Sequence, residues 1–279
     1  LLDVMAESKI EVQCGISSVV YFMSKIGLSW DDAKITSAHG KNCNLVSMIK
    51  QNQKVFSILG TGSAVAELAQ KLVEYEMGDV VLYVGENLSY PDEKLFTFYL
   101  DEFETKLFDL PEGVYTCLIE NEDCEEQILT PGMDDEIFSR TKVPMTKNEV
   151  RVLSISRLEL TKKAVVYDVG SGTGSVSAEC ARLSPDIVVF AIEQKEEAAN
   201  LTKENAVRFG LSDQIVVINK KAPEGFEELP TPTHVFIGGS SGALSDILSA
   251  IQKKLIVKEN TKGKTDKASK GVRVVCCVA

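Results

Sequence analysis

The sequence predicts an α/β protein whose second half is a doubly wound, mostly parallel sheet. Three observations carry this. Residues 165–174, Val-Val-Tyr-Asp-Val-Gly-Ser-Gly-Thr-Gly, read as a short buried strand that ends in Asp168 and breaks into a turn with glycines at alternate positions. Downstream, short apolar runs alternate with helix-period segments at the spacing of βα units. The charge also shifts abruptly along the chain. Residues 1–129 carry 9 Lys and Arg against 22 Asp and Glu, whereas residues 130–279 carry 21 against 19. Every arginine lies after residue 129, and Leu129-Thr130-Pro131-Gly132 reads as a linker. A boundary near residues 128–132 is therefore expected, dividing the chain into units 1–129 and 130–279.

The elements of the second unit follow in order. A helix is expected over Lys147–Leu158, with Thr146 as its N-cap and Glu149 completing a capping box. After the strand at Val165–Tyr167, a helix opens at Ser175. A second strand covers Asp186–Ile192 and ends in Glu193, and a helix-period segment runs from Lys195 to Phe209. A third strand is expected at Gln214–Ile218, followed by Ala222-Pro223-Glu224. A fourth spans His234–Ile237 and runs into Gly238-Gly239-Ser240. A helix over Ala243–Lys254, an enlarged loop at 258–270 and a fifth strand at Val272–Ala279 complete the chain.

In parallel sheets of this kind, ligands lie at the carboxyl ends of the strands. Gly170, Gly172, Gly174, Glu193, Ala222 and Gly238 all fall there. A glycine turn lets a ligand approach bare backbone. An acidic residue at the next strand end, about 20 residues on, can accept both hydroxyls of a ribose. The spacing does not fit Gly-x-Gly-x-x-Gly, whose third glycine would fall on Ser175.

Bulk properties bound the remaining possibilities. At 44% hydrophobic and 25% charged residues the composition is that of a globular protein. No run approaches the length of a membrane span, so no membrane partner is expected. The acidic first unit argues against nucleic acid. Seven cysteines, odd in number and without a Cys-x-x-Cys pair, read as reduced thiols in a cytoplasmic protein. His39 and His234 stand without cysteines at ligand spacing, so no metal site is expected, and both read as structural histidines.

Asp168-x-Gly170-x-Gly172-x-Gly174 resembles the first motif of class I methyltransferases, which bind S-adenosylmethionine. Four pieces of residues 130–279 resemble the decarboxylating precorrin methyltransferase family of cobalamin synthesis: Lys142-Val-Pro-Met-Thr-Lys-Asn-Glu-Val-Arg151, Asp168–Gly174, Ala222-Pro223-Glu224 and Phe236-Ile-Gly-Gly-Ser240. Residues 1–129 resemble the C-terminal lobe of a tetrapyrrole methylase domain through Gly15-Ile-Ser-Ser-Val19, Gly27-Leu-Ser-Trp-Asp-Asp-Ala33, Ser37-Ala-His-Gly-Lys41 and Val84–Glu93. In this order the two resemble the bifunctional C5,C15-methyltransferases.

The resemblance implies a Rossmann-like class I domain lacking its last strands, preceded by a partial tetrapyrrole methylase domain. It implies S-adenosylmethionine as cofactor, with Gly170, Ser171, Gly172, Thr173 and Gly174 cradling its methionine end, Glu193 holding the ribose, Ala222 lying on the adenine and Thr146 capping the site. A tetrapyrrole substrate rich in carboxylates would be steered by Arg140, Lys142, Lys147 and Arg151 and would meet Gly238, Gly239 and Ser240. Methylation at C5 and C15 with loss of the C12 acetate carboxyl, and assembly as a homo-oligomer, are the family's further expectations. No catalytic residue is assigned, because a sulfonium needs positioning rather than activation. The sequence departs from the family at Cys14, where proline is usual, and at Lys220-Lys221, where Gly-Asp is frequent. The alternatives are a class I methyltransferase for another small molecule and a binding module without activity.

Overall fold

The computed structural model describes residues 15–38, 44–102, 110–111, 113–124, 130–261 and 271–277. Of the expectations above, Cys14, His39 and loop residues 262–270 lie outside them, as do 125–129 beside the expected boundary and 278–279 of the last strand.

Residues 15–124 build a mixed sheet with helices on both sides. The elements in order are α1 (Ser18–Ile26), β1 (Lys34–Ser37), α2 (Leu45–Gln51), β2 (Lys54–Ile58), α3 (Gly62–Glu74), β3 (Val81–Glu86), β4 (Lys94–Tyr99) and β5 (Tyr115–Glu120). Strand order is β1-β2-β5-β3-β4; only β1 and β2 run parallel, joined through α2, and the remaining pairs are antiparallel. Helices α2 and α3 bury Leu45, Ile49, Leu68 and Leu72 on one face. On the other face, Phe22 and Met23 of α1 pack on Phe56 and Leu118. Strand β5 is apolar throughout because it lies between two helical layers.

Residues 130–277 build the parallel sheet. Here α4 (Asn148–Leu158) precedes β6 (Val165–Val169), α5 (Ser175–Arg182), β7 (Val188–Ile192), α6 (Glu196–Arg208), β8 (Ile215–Ile218), β9 (His234–Ile237), α7 (Leu244–Thr261) and β10 (Arg273–Cys276). All four pairings are parallel, in the order β10-β9-β6-β7-β8. The order reverses at β6, so the loops after β6 and β9 part at a switch point, where such sheets open a crevice. Alternate residues of β6 feed two cores. Val166 packs with Ile155 of α4, Val176 and Ala178 of α5 and Ala206 of α6. Tyr167 and Val169 pack with Phe226 and with Ile247 and Ile251 of α7.

The parallel, two-sided architecture and β9 agree with the sequence reading. Several boundaries differ. Strand β6 continues through Asp168 to Val169; the charge sits inside the strand because its side chain meets Ser177 of α5 rather than solvent. Residues 186 and 187 belong to the turn before β7. Helix α4 begins at Asn148 with Lys147 at its N-cap and no side-chain capping bond, so the Thr146 cap and the box with Glu149 do not form. Helix α7 extends to Thr261, so residues 258–261 are helical rather than loop, and β10 is only four residues long. Gln214 precedes β8 and is buried, with Nε2 2.9, 2.7 and 2.8 Å from the carbonyl oxygens of Ala181, Ser184 and Ile187. Among the described residues, no helix is long and apolar enough to cross a membrane.

Candidate cofactor and substrate site

A cavity of about 440 Å³ opens at the carboxyl ends of β6, β7 and β9. Its floor is the glycine turn. Gly170 and Gly172 have φ of +75° and +59°, a region that glycine enters without the steric cost of a Cβ. Each also leaves room for a specific neighbour. A Cβ on Gly170 would lie 2.7 Å from the Gly239 oxygen, and one on Gly172 would lie 2.8 Å from the Pro144 oxygen. The sequence reading took these glycines as room for a ligand; in the fold their missing side chains make room for protein backbone. The turn is thereby clamped between the loop after β9 and the lead-in segment 130–147.

Glu193 closes β7 and is 8% exposed. Its Oε2 accepts from the Gly172 N–H at 3.1 Å and its Oε1 from the Lys195 N–H at 2.9 Å. Both oxygens keep a free lone pair, which suits a pair of vicinal hydroxyls. The Asn219 side chain donates to the Glu193 carbonyl at 2.8 Å and ties the end of β7 to the loop after β8. Beneath the turn, Asp168 is 1% exposed. Burial raises its carboxyl to about 6 against a hydrogen bond from Ser177 Oγ at 2.5 Å, and the neighbouring Glu193 charge pushes it the same way as burial.

Of the residues singled out from sequence, Thr146, Lys147, Gly170, Ser171, Gly172, Glu193, Ala222, Gly238, Gly239 and Ser240 line this one cavity. Thr173 and Gly174 lie just behind it, at the start of α5. Arg140 and Lys142 are exposed and do not line it. Arg151 is fully buried and cannot meet a substrate. Its guanidinium donates to Glu179 Oε1 at 3.1 Å, to Asp135 Oδ1 at 3.0 Å, to the Thr146 carbonyl at 2.8 Å and to the Met133 carbonyl. Arg151 thus secures the wall carrying Thr146. His234, at the opposite end of β9 from Gly238, is buried against Thr233 Oγ1 at 2.8 Å, and burial lowers its pKa.

Sequence reasoning missed Lys195, Lys220 and Lys221, three exposed cations on the cavity rim, and Cys277, which follows β10. The doubled lysine was visible only as a departure from a pattern. That Lys195 joins it depends on the ends of β7 and β8 being neighbours. Among the described residues there is no cluster of His, Cys, Asp and Glu able to hold a metal ion.

The comparisons with known proteins fall on the same region. Residues 136–260 match the family described as "Precorrin methyltransferase domain". A Pyrobaculum calidifontis protein named probable cobalt-precorrin-6B C(15)-methyltransferase (decarboxylating) is 44% identical over 128 residues, 45% of this chain and 66% of its own length. The precorrin-6Y C(5,15)-methyltransferase [decarboxylating] of Sinorhizobium sp is 29% identical over 252 residues, 89% of this chain and 60% of that protein. A crystal structure of precorrin-6y C5,15-methyltransferase from Geobacter metallireducens is 35% identical with a TM-score of 0.43, covering 46% of this chain and 66% of that one. The chain thus spans somewhat under two thirds of the length of these relatives. With its parallel α/β sheet and a glycine turn beside a strand-end carboxylate, the segment 136–260 belongs to the precorrin methyltransferase domain family.

Proposed function

We propose that the cavity binds S-adenosylmethionine and that the protein methylates precorrin-6Y, or its cobalt form, at C5 and C15 with decarboxylation of the C12 acetate. The observation that carries this reading is the buried Glu193 carboxylate. It is bonded to the Gly172 N–H beside the glycine turn and keeps a free lone pair on each oxygen, inside the segment that matches the precorrin methyltransferase family. The residues fit the cofactor. Glu193 takes the ribose hydroxyls, and Gly170–Gly174 run beside the methionine end. Ala222 offers an apolar surface to the adenine, and Thr146 closes the site from the lead-in segment. A volume of about 440 Å³ is in the range of small-ligand sites.

When bound, the sulfonium supplies an electrophilic methyl group. The protein's part is to hold a ring carbon in line with it and to keep water out. Gly238, Gly239 and Ser240 present backbone at the substrate side, and Lys147, Lys195, Lys220 and Lys221 give the rim a positive field suited to a polycarboxylate. Arg140 and Lys142, further out, act on approach at most. Residues 1–129 are assigned to the partner activity at C5, as part of a tetrapyrrole methylase domain, and the protein is assigned to the cytoplasm.

The test is calorimetry with S-adenosylmethionine, then incubation with precorrin-6Y and a labelled methyl donor. Micromolar binding, label in the ring and release of CO₂ are expected. Absence of binding sinks the cofactor assignment, and methylation without CO₂ release sinks the decarboxylation.

A further inference from the structure

Two buried polar side chains of α6 lie outside the cavity yet hold the turn that floors it. Thr202 is 1% exposed and Asn205 fully buried, three residues apart on the face that packs against the sheet with Ala198, Ala199, Leu201 and Ala206. Thr202 Oγ1 donates to the Gly172 carbonyl at 3.1 Å. Its one proton being spent there, the 3.2 Å contact with Ser171 Oγ has Ser171 as donor. Asn205 Nδ2 donates to the Thr173 carbonyl at 2.8 Å and to the Ser139 carbonyl at 3.0 Å, and Oδ1 accepts from the Ser139 N–H at 2.8 Å. Every hydrogen-bonding site of the amide except one lone pair is used, which fixes its orientation.

We propose that Thr202 and Asn205 are positioning residues for the cofactor site, setting the glycine turn and the lead-in segment as one unit from behind. A trans peptide points its N–H opposite its C=O. Hooking the Gly172 and Thr173 carbonyls towards α6 therefore turns the N–H groups of Thr173 and Gly174 the other way. The same hooks hold the Gly172 N–H on Glu193 Oε2, so Thr202 orients a carboxylate it never touches. Asn205 extends the unit to Ser139, five residues before the Pro144 carbonyl that abuts Gly172. A role confined to anchoring α6 does not need these groups, because Leu201 and the three alanines bury the same face without the desolvation cost of a hydroxyl and an amide.

The inference rests on the proposed cofactor, and its test separates the two. Thr202→Val keeps the shape and removes the hydroxyl; Thr202→Ser does the reverse. Calorimetry with S-adenosylhomocysteine is expected to show about fivefold weaker binding for Thr202→Val and a change under twofold for Thr202→Ser, the scale of one neutral hydrogen bond. Hydrogen exchange on the ligand-free protein is expected to show faster exchange at the Gly172 amide in Thr202→Val alone. Equal binding and exchange in Thr202→Val and the parent, or a larger loss in Thr202→Ser, overturns the proposal. If the parent fails to bind, the cofactor assignment falls, and the exchange result alone decides whether Thr202 positions the turn. Should Thr202→Val not fold, Asn205→Asp keeps the acceptor for the Ser139 N–H and loses both donors. It is expected to weaken binding and raise exchange at Gly174, and unchanged values for both overturn the proposal equally.

Discussion

Glu193 and Asp168 are two buried carboxyls on adjacent strands with opposite fortunes. Glu193 receives two backbone N–H groups. Asp168 receives only Ser177, and its Oδ1 has no partner. Glu193→Ala is expected to weaken S-adenosylhomocysteine binding by about 10–100-fold, the scale of losing charge-assisted hydrogen bonds. Calorimetry at pH 8 measures it, and a change under threefold counts against the ribose role. For Asp168 the raised pKa makes a stability statement. The folded carboxyl keeps its proton up to about pH 6, whereas an unperturbed one releases it near 3.8. Between those values the folded state holds more protons, so stability falls as pH rises through that window and stays lower above it. Asp168→Asn removes the buried charge. It is expected to be more stable than the parent at pH 8, by about 2 kcal/mol, with the advantage shrinking below pH 4. Urea denaturation at both pH values checks it; an advantage independent of pH refutes the charge argument.

At the scale of elements, α4 is anchored more by one ion pair than by its apolar face. Arg151 and Glu179, both with fully buried side chains, bind each other at 3.1 Å. Glu179 also accepts from the N–H groups of Gly132 and Met133 and from Arg182. Removing one partner strands a buried charge. Arg151→Ala is expected to cost about 3–5 kcal/mol in chemical denaturation. The double replacement Arg151→Met with Glu179→Leu is expected to recover most of this while leaving the Thr146 carbonyl unheld. A cost below 1 kcal/mol for Arg151→Ala contradicts the ion-pair account. This network was not legible in the sequence, where Arg151 reads as one more cation near a helix start. Burial of an arginine is decided by which carboxylates the fold brings to it, and Glu179 lies 28 residues away. Strand β9 was legible because four apolar-facing residues are bounded by Thr-Pro-Thr and Gly-Gly. The end of β6 was misread because a charge in a strand looks like a boundary until its partner on the next helix is known.

Across the whole molecule, the alternation of strands and helices made the parallel sheet legible, and strand-end logic gathered most of the candidate site. The mixed sheet of residues 34–120 was not, since three antiparallel pairings and a crossover leave no periodic trace that distinguishes their order. The rim lysines were hidden because their grouping depends on neighbouring strands ending at one level. The two sheets touch where the Asn44 amide donates to Gln214 at 2.6 Å and Lys71 pairs with Asp213 at 2.8 Å, on the turn between α6 and β8. Every residue lining the cavity lies between 143 and 277. A fragment of residues 130–279 is therefore expected to bind S-adenosylhomocysteine within threefold of the full chain. Binding lost in a folded fragment would assign the first sheet a direct part in the site.

The neighbours of the glycine turn also set how this protein can drift. Gly170 and Gly172 abut backbone atoms, the Gly239 and Pro144 oxygens, and no exchange of a partner's side chain makes room against a carbonyl. Gly174 instead abuts the Thr202 side chain, whose Cγ2 lies 2.7 Å from where a Cβ would sit. Among natural variants, change at 174 is expected only together with a smaller residue at 202. The first two glycines have no such companion and stay fixed even in lineages that have abandoned the ligand but kept the fold.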